Sequence, residues 1–525
     1  MRLRPALAVA IGLCAPACTS SPGAEDSGLS GGTMTTESTG AESTGGPVDP
    51  TSVDSGEPVG GPCNDDDDCV DDPVGRICDE LLGVCGPGCV PFETRECYSG
   101  PFGTDGVGAC RGGTNVCGTQ GKWNVTCDDE VVPREEICGN DLDDDCDGNH
   151  DDTDADGDGF GACSGDCCDV PALCSDPELV NPGAYEVVGN RLDDDCNGET
   201  DEAQPTCDAG LASNSADAMD FVRALELCRT TEEDPADPAD RTWGVISTFL
   251  SRADGNGATL PVQRALRDRF GAIITPEQGE RMVVLSSGHA ADIDDQNPSF
   301  APFEPGTNLG TTSGVPADWL AANGGAFPNP GGCLDPWNYE AHDSAMLTIR
   351  LRAPTNANSF SMKMQFFSAE YPEWVCSEFN DFFVALVDSG ADNPADKNIA
   401  IYDDDGMPWP VGVNLVMVAQ GLMTQCENGE VGCSTDLTSD YLGCLGTALL
   451  EDTGFDAPGN ACDAGQDVSG GGTGWLTMSG NVLPGEIIEL RLAVWDSSGH
   501  IYDSLVLLDD LRWSVDAAQP GIVPG

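Results

Sequence analysis

Cysteine restricts the folds open to this chain more than any other residue type. The sequence contains 26 cysteines, and residues 61–130 are dense in them although their apolar runs are very short. A segment that cannot build a sizeable apolar core is usually held together by disulfides, which form in exported proteins. No Cys-x-x-Cys pair occurs, which argues against zinc ribbons and thioredoxin-like redox sites. We therefore expect a disulfide module over residues 61–130, with a connectivity that the sequence leaves open.

The first 18 residues have the composition of an export signal. Arg2 and Arg4 precede an apolar run that is too short to span a bilayer. Two processing sites stay open: Ala15-Pro16-Ala17 fits ordinary signal peptidase, whereas Cys18 resembles the cysteine of a bacterial lipoprotein box. Residues 19–60 are rich in Ser, Thr and Gly, which is typical of a disordered tether. A tether directly after Cys18 favours lipidation there, and hence an anchored protein at the outer membrane or cell surface.

The charge of the chain excludes several classes of partner. Lys and Arg number 22 against 91 Asp and Glu, for a formal net charge of −69. Nucleic acids and anionic lipid surfaces need basic side chains that are scarce here. We therefore expect no nucleic-acid partner, contact with a membrane only through an N-terminal lipid, and divalent cations as partners.

An internal repeat organises the most acidic part of the chain. Residues 139–148 read GNDLDDDCDG and residues 189–198 read GNRLDDDCNG, an offset of 189 − 139 = 50 residues. A solvating acidic tail needs no such register, so the repeat indicates specific structure over residues 131–205.

The aspartate spacing between the two copies predicts calcium. Aspartates alternate with other residues from 152 to 158, and Gly157 and Gly159 permit a sharp turn, so several carboxylates can point inward. An EF-hand is excluded, because its bidentate glutamate would fall on Cys163 or Gly165. The alternative is a solvated loop without a ligand. The candidate metal ligands are Asp143, Asp145, Asp152, Asp154, Asp156, Asp158, Asp166, Asp169, Asp193, Asp195 and Asp201.

This region resembles a known motif. EICGNDLDDDCDG, DADGDGFGACSGDCCD and NPGAYEVVGNRLDDDCNGETDE are similar to the MopE-like metal-binding motif, over roughly residues 133–202. The resemblance implies a metal and makes copper an alternative to calcium. Copper prefers imidazole and sulfur, and only His150 is close in sequence, so the oxygen ligands favour calcium. Val188 replaces the cysteine found at Cys138 in the first copy, where Cys138 and Cys146 are candidates to pair.

The rest of the chain predicts a mainly β fold with a few helices. Short apolar or alternating runs separated by Gly, Pro, Asn and Asp are typical of an antiparallel β-sandwich or jelly roll. We expect one helix capped by Ser215 and another over residues 261–271, with Arg264, Arg267 and Arg269 exposed on it. Residues 420–472, with four cysteines, should form a disulfide-tied excursion. The predicted strands are 243–250, 281–288, 346–354, 360–370, 381–390, 397–406, 413–419, 474–480, 486–497 and 503–515.

The same part of the chain resembles a second family. SAEYPE at 368–373, FND at 379–381, KNIA at 397–400 and AVWDSSGHIYDS at 493–504 are similar to the choice-of-anchor L domain, over about residues 205–515. That family occurs in bacterial surface and secreted proteins, and its molecular role is not established. Cys376 is unusual within the Glu-Tyr-Pro segment, and we expect it to form a disulfide.

A second group of polar residues flanks the predicted strands. Carboxylates at strand ends either bind calcium as a second metal site or accept hydrogen bonds from loop N–H groups, and the sequence leaves both readings open. The nearby aromatic residues Tyr371, Trp374, Phe379 and Tyr502 are expected to pack rather than to bind a glycan. The strand-flanking candidates are Glu370, Asn380, Asp381, Asp496, Asp503 and Asp509.

No catalytic motif stands out. The chain has no Gly-x-Ser-x-Gly elbow, no His-x-x-x-His pair and no phosphate loop. We expect a non-enzymatic surface protein that binds calcium and an extracellular glycan or protein. The alternative is a polysaccharide hydrolase using a carboxylate pair such as Glu370 with Asp381. The expected organisation is signal 1–18, tether 19–60, disulfide module 61–130, acidic repeat 131–205, β-sandwich 206–516 and tail 517–525.

Overall fold

The computed structural model describes residues 60–525 except 80, 135–136, 138–139, 141, 147, 149–153, 170–173, 237–239, 405, 420, 457–461 and 463–469. The predicted signal with Cys18, the tether up to residue 59, Cys138, His150 and Asp152 lie outside the described residues. The chain divides into two compact units, Met1–Gly88 and Cys89–Gly525. Within the described part, no helix has the length and apolar character needed to cross a membrane.

The first unit is organised by two disulfides. Its hairpin consists of β1 (Ile77–Asp79) and β2 (Val84–Gly86), preceded by a 3-10 turn over Asp66–Cys69. Cys63 pairs with Cys78 and Cys69 with Cys85. These four cysteines are buried and form the apolar centre of this unit. The disulfides therefore take the place of a hydrophobic core, as the cysteine density predicts.

Disulfides continue through the N-terminal part of the second unit. The hairpin of β3 (Thr94–Cys97) and β4 (Gly113–Val116) is tied by Cys89–Cys117 and Cys97–Cys127. Cys146 pairs with Cys110, so the expected Cys138–Cys146 pairing is wrong. Further pairs, among the described residues of this part, are Cys167–Cys196, Cys168–Cys174 and Cys207–Cys228.

Two seven-stranded antiparallel sheets make up the rest of the second unit. Their strands are β5 (Gly244–Ser251), β6 (Arg264–Arg267), β7 (Met282–Ser286), β8 (Thr312–Gly314), β9 (Glu340–Arg352), β10 (Ser359–Ser368), β11 (Phe382–Asp388), β12 (Ile401–Asp404), β13 (Met407–Gly412), β16 (Gly471–Gly472), β17 (Leu476–Asn481), β18 (Ile487–Asp496), β19 (Ser504–Ser514) and β20 (Gly521–Pro524), and a separate hairpin contains β14 (Gly429–Val431) and β15 (Ser439–Tyr441). One sheet has the order β20-β17-β10-β19-β7-β6 with β16 beside β10, and the other has the order β12-β13-β11-β18-β9-β5 with β8 beside β9.

The two sheets share one hydrophobic core. Alternate residues of β9, including Leu347 and Ile349, pack in the same buried cluster as Met364 of β10 and Leu508 of β19. The outer faces of both sheets are also apolar, because loops cover them with further clusters around Phe303 and around the two buried tryptophans Trp319 and Trp495. Burial on both faces explains why these strands read as near-continuous apolar runs. The predicted mainly β fold is confirmed.

The predicted helix over residues 261–271 is wrong. Residues 261–263 form a single 3-10 turn, and Arg264–Arg267 form β6, which pairs with β7. Arg264 and Arg267 are buried rather than exposed, and only Arg269 is on the surface. Arg267 donates to Asp295 at 2.6 Å and to the Ala290 carbonyl at 2.9 Å. These partners and the strand pairing outweigh a local helix preference of a few tenths of a kcal/mol per residue.

Several shorter elements also differ from the prediction. Helix α1 (Ala218–Arg223) is capped by the side chain of Asp217, whereas Ser215 accepts a hydrogen bond from the Asp217 N–H. Helix α2 (Ala317–Ala322) was not predicted. The predicted strand at 413–419 is instead a 3-10 helix over Val413–Met417. Part of the expected tail 517–525 is β20, which pairs with β17. The excursion at 420–472 is tied by Cys426–Cys444 and Cys433–Cys462, and Cys376 pairs with Cys333, as expected.

Candidate metal centres

The two copies of the acidic repeat form the same hydrogen-bonded turn. In the first copy the Asn140 side chain accepts from Leu142 N–H at 2.6 Å and donates to Asp144 at 2.7 Å. In the second copy Asn190 makes the corresponding bonds to Leu192 and Asp194 at 2.8 and 2.9 Å. The cysteine of each copy has a positive φ, 62° at Cys146 and 54° at Cys196. The repeat is therefore a structural unit held by side-chain caps and disulfides.

The predicted ligands within the copies have structural partners. Asp143 accepts from Gly148 N–H at 3.0 Å, and Asp193 accepts from Asn197 and Gly198 N–H at 3.0 and 2.9 Å. Asp201 accepts from the N–H groups of Gly189 and Arg191, which lower its pKa. Asp195 forms an ion pair with Arg229 at 3.4 Å, and Asp145 also has a partner. These contacts give the shared spacing of the two copies a structural role.

The loop between the copies is different, because its carboxylates converge. Asp154 accepts three backbone N–H groups, from Gly157 at 2.6 Å, Asp158 at 3.1 Å and Gly159 at 2.9 Å. Carboxylate oxygens of Asp154, Asp156 and Asp169 lie within 4.8 Å of one another, and so do those of Asp156, Asp158 and Asp166. Asp156 belongs to both groups. We call these five residues the acidic loop.

Three oxygens of the acidic loop lack a partner. The Oδ1 atoms of Asp156, Asp158 and Asp166 accept backbone N–H groups, but the Oδ2 atoms are buried without a hydrogen-bond partner. Burial first, and then repulsion from neighbouring carboxylates, raises the pKa of Asp158 to about 7 and that of Asp166 to about 6. Two charges at such separations repel by about 3 kcal/mol at an effective dielectric constant of about 20. A cation would remove this repulsion and occupy the free oxygens.

The β-sandwich supports the acidic loop from one side. Phe160 is 2% exposed, and a side chain at Gly183 would collide with its ring. The Thr355 N–H donates to the Gly183 carbonyl at 3.0 Å, and the Asn356 side chain bonds both the N–H and the carbonyl of Tyr185 at 3.0 and 2.9 Å. Phe160, which follows the alternating aspartates, therefore packs against a segment that the sandwich holds by hydrogen bonds.

The chemistry of the acidic loop fits a hard cation. Every side chain in the two groups is a carboxylate, which suits calcium. Cys167 and Cys168 are in disulfides with Cys196 and Cys174, so they offer no thiolate, and the His150 side chain lies outside the described residues. Among the described residues the loop thus lacks the imidazole and sulfur donors that copper prefers.

A second group of carboxylates lies at one end of the sandwich. Glu370 follows β10, Asp381 precedes β11, Asp496 ends β18 and Asp503 precedes β19. Their exposures are 2%, 0%, 1% and 0%. The four strands come from both sheets, so the antiparallel order brings these sequence-distant residues together. We call these four residues the strand-end cluster.

Hydrogen bonds satisfy only part of the strand-end cluster. Asp381 accepts from Ser497 N–H at 3.0 Å and from the Ser504 hydroxyl at 2.6 Å, and Asp503 accepts from Thr307 N–H at 3.1 Å. Glu370 accepts a long bond, 3.4 Å, from Asp381 N–H. Both oxygens of Asp496 lack a hydrogen-bond partner of good geometry, although the Ser287 hydroxyl is near enough to favour its charged form weakly.

Burial dominates the electrostatics of this cluster. Loss of water, followed by repulsion from the neighbouring carboxylates, raises the pKa of Glu370, Asp496 and Asp503 well above the usual range. The pKa of Asp381 rises less, to about 7, because Ser504 and Ser497 donate to it.

The other two strand-flanking candidates, Asn380 and Asp509, are not part of the strand-end cluster. Asn380 accepts from Asn414 N–H at 2.8 Å and shapes a turn. Asp509 lies inside β19, where Gln278 and Asp510 N–H groups donate to it at 3.2 and 2.8 Å. They act as structural acceptors, which was one of the two readings left open by the sequence.

The sequence did not identify all the residues that surround the strand-end cluster. Asp343 is fully buried next to Asp503 and accepts from His500 Nδ1 at 3.0 Å. The Ser287 hydroxyl, which lies near Asp496, accepts from Ser504 N–H at 2.9 Å. The similar segments SSGH at 286–289 and 497–500 both lie at this end of the sandwich and were the available signal.

The comparisons with known proteins concern the sandwich. A family model described as the choice-of-anchor L domain matches residues 279–511, which contain the whole strand-end cluster. A domain of this family suggests a surface-associated, extracellular protein. No curated protein and no solved structure matches the chain. The acidic loop lies outside the matched residues, and its MopE-like resemblance stays a prediction.

Proposed function

We propose that this chain is a calcium-stabilised surface protein with a binding or adhesion role, anchored through a lipid on Cys18. The calcium part rests on the acidic loop, in which Asp156, Asp158 and Asp166 each keep one buried oxygen without a hydrogen-bond partner. Calcium needs six to eight oxygens, and carboxylates from two sides of a glycine-containing loop supply several of them. Extracellular modules bind calcium with a Kd of about 10⁻⁴–10⁻³ M, which matches a structural role outside the cell.

The calcium proposal is tested by equilibrium dialysis of the full oxidised chain against labelled calcium. Asp158→Asn removes one charge from the centre of the acidic loop and should weaken binding at this site at least tenfold. Asp268→Asn is the matched control, because its side chain is 73% exposed and lies outside the loop. Equal calcium binding by the wild type and Asp158→Asn would defeat the proposal.

The binding role is supported by a surface aromatic group, and the family match suggests a surface location for it. Trp337 is 70% exposed and packs edge-on against Phe379 at 5.0 Å, and Phe379 in turn contacts Trp374. Exposed aromatic rings on fixed supports are common contact residues for extracellular glycans and proteins. Screening on a glycan array should give a ligand whose binding is reduced by Trp337→Ala and retained by Leu442→Ala, another exposed apolar site at 76%. Equal binding by both variants would exclude this surface.

The residues considered for the hydrolase alternative are buried. Glu370 and Asp381 are 2% and 0% exposed, so a polysaccharide cannot reach them in this conformation. A screen for polysaccharide turnover with wild type and Glu370→Gln tests the matter. Turnover that is abolished by Glu370→Gln would overturn the non-enzymatic proposal.

A further inference from the structure

The strand-end cluster gathers negative charge that the described side chains do not balance. Glu370, Asp381, Asp496 and Asp503 are all at most 2% exposed. Among the residues that the structure describes, no Lys or Arg forms an ion pair with any of the four, and His500 bonds Asp343 instead. Buried carboxylates are normally paired, hydrogen-bonded or bound to a metal.

A second observation points to a ligand inside the cluster. Asp496 is 1% exposed, and neither of its oxygens has a hydrogen-bond partner of good geometry, although the Ser287 hydroxyl is near and Asp381, Asp503 and Glu370 are close enough to repel it. The hydroxyl of the next residue, Ser497, is likewise buried without a partner. Three unpartnered oxygens thus lie beside three further carboxylates at the same strand ends.

We propose that the strand-end cluster binds one divalent cation of the calcium class, with Asp496 as its central ligand and Glu370, Asp381 and Asp503 around it. The ligands are carboxylates with a hydroxyl oxygen nearby, which hard cations prefer. Calcium fits better than magnesium, because magnesium keeps several waters whereas this site is closed to solvent. The cation would join the ends of β10, β11, β18 and β19 and so fasten the two sheets to each other.

The competing account is a set of carboxyl groups that share protons. Asp381 lies close enough to Glu370 and Asp496 for such sharing when one partner is protonated. Shared protons would need no metal and would leave the protein indifferent to chelators. The two accounts therefore differ in metal content and in the response to EDTA.

The test uses the full oxidised chain, purified without added metal and analysed by elemental mass spectrometry and thermal melting. We expect about one tightly held calcium per chain that survives Asp158→Asn in the acidic loop and is lost in Asp496→Asn. We also expect EDTA to lower the melting temperature of the wild type but not of Asp496→Asn. Asp509→Asn is the matched control, because Asp509 is equally buried on β19 but accepts backbone N–H groups, so this variant should retain the metal.

Terbium luminescence provides a readout that does not depend on a variant that folds. Trp495 directly precedes Asp496, and Trp374 follows Glu370 by four residues, so tryptophan excitation should sensitise terbium bound in the cluster. Sensitised emission that excess calcium displaces would support the site. A metal-free wild type with no sensitised emission and a melting temperature unaffected by EDTA would overturn the proposal, whatever the acidic loop binds.

Discussion

Replacing Asp158 with Asn should have opposite effects with and without calcium. Burial raises the pKa of this carboxyl from 3.8 to about 7. If the whole pKa shift is converted to free energy, ionising the carboxyl in the metal-free folded loop costs about 4 kcal/mol. Because half of the group is exposed to solvent that screens its charge, we reduce this ionisation cost to about 2 kcal/mol. The folded-state pKa is the raised one, so this cost is absent below about pH 4 and fully present above about pH 7. Asn carries no charge and still accepts the Phe160 N–H, so Asp158→Asn avoids the cost.

Hydrogen exchange of the peptide covering residues 154–169 measures this effect locally. At pH 7.5 in EDTA, the variant should be protected about 30-fold more than the wild type, since about 1.4 kcal/mol corresponds to a factor of ten. Calcium at about 100 times its Kd should stabilise the wild-type loop by about 2.7 kcal/mol and reverse the order. Asp268→Asn should match the wild type in both buffers. A variant that is less protected than the wild type in EDTA, or that responds equally to calcium, would refute the electrostatic argument.

Three further outcomes follow from the architecture. Replacing Cys110 and Cys146 together with Ala opens a loop of 36 residues and should destabilise the protein by about 3–4 kcal/mol in denaturant titrations, and a loss below about 1 kcal/mol would contradict the bridging role of this disulfide. Leu508→Ala empties a fully buried position between the sheets and should cost about 2–5 kcal/mol, measured by thermal melting, whereas Leu442→Ala at the surface should cost almost nothing. Cys18→Ser should move the protein from the membrane fraction to the soluble fraction, and unchanged fractionation would defeat the lipid anchor.

The strands were predictable where both faces of a strand are buried. The runs at 360–370 and 503–515 became β10 and β19, because such apolar segments bounded by Gly, Asn and Asp suit a covered sheet. The run at 413–419 has the same composition but forms a 3-10 helix, in which Asn414 bonds Asn380 and the Cys376 N–H. Those partners are distant in sequence, so composition alone cannot distinguish the two structures.

The candidate sites were predictable in residue type but not in grouping. Asp154, Asp156, Asp158, Asp166 and Asp169 converge, as the alternating aspartates predicted, because glycines allow the turn within a short segment. The repeat copies on either side carry similar aspartates, yet these are occupied by turn N–H groups, which only the folded backbone reveals. Membership of the strand-end cluster depends on which strand ends meet, and this is set by the order of strands in two sheets.

Calorimetric titration of the full oxidised chain with calcium tests the central claim most directly. We predict saturable calcium binding with a Kd of about 10⁻⁴–10⁻³ M that is lost in Asp158→Asn and kept in Asp268→Asn, with no comparable binding of copper at the acidic loop. An absence of heat together with unchanged protease resistance in calcium, or copper binding that Asp158→Asn abolishes while calcium has no effect, would contradict the account.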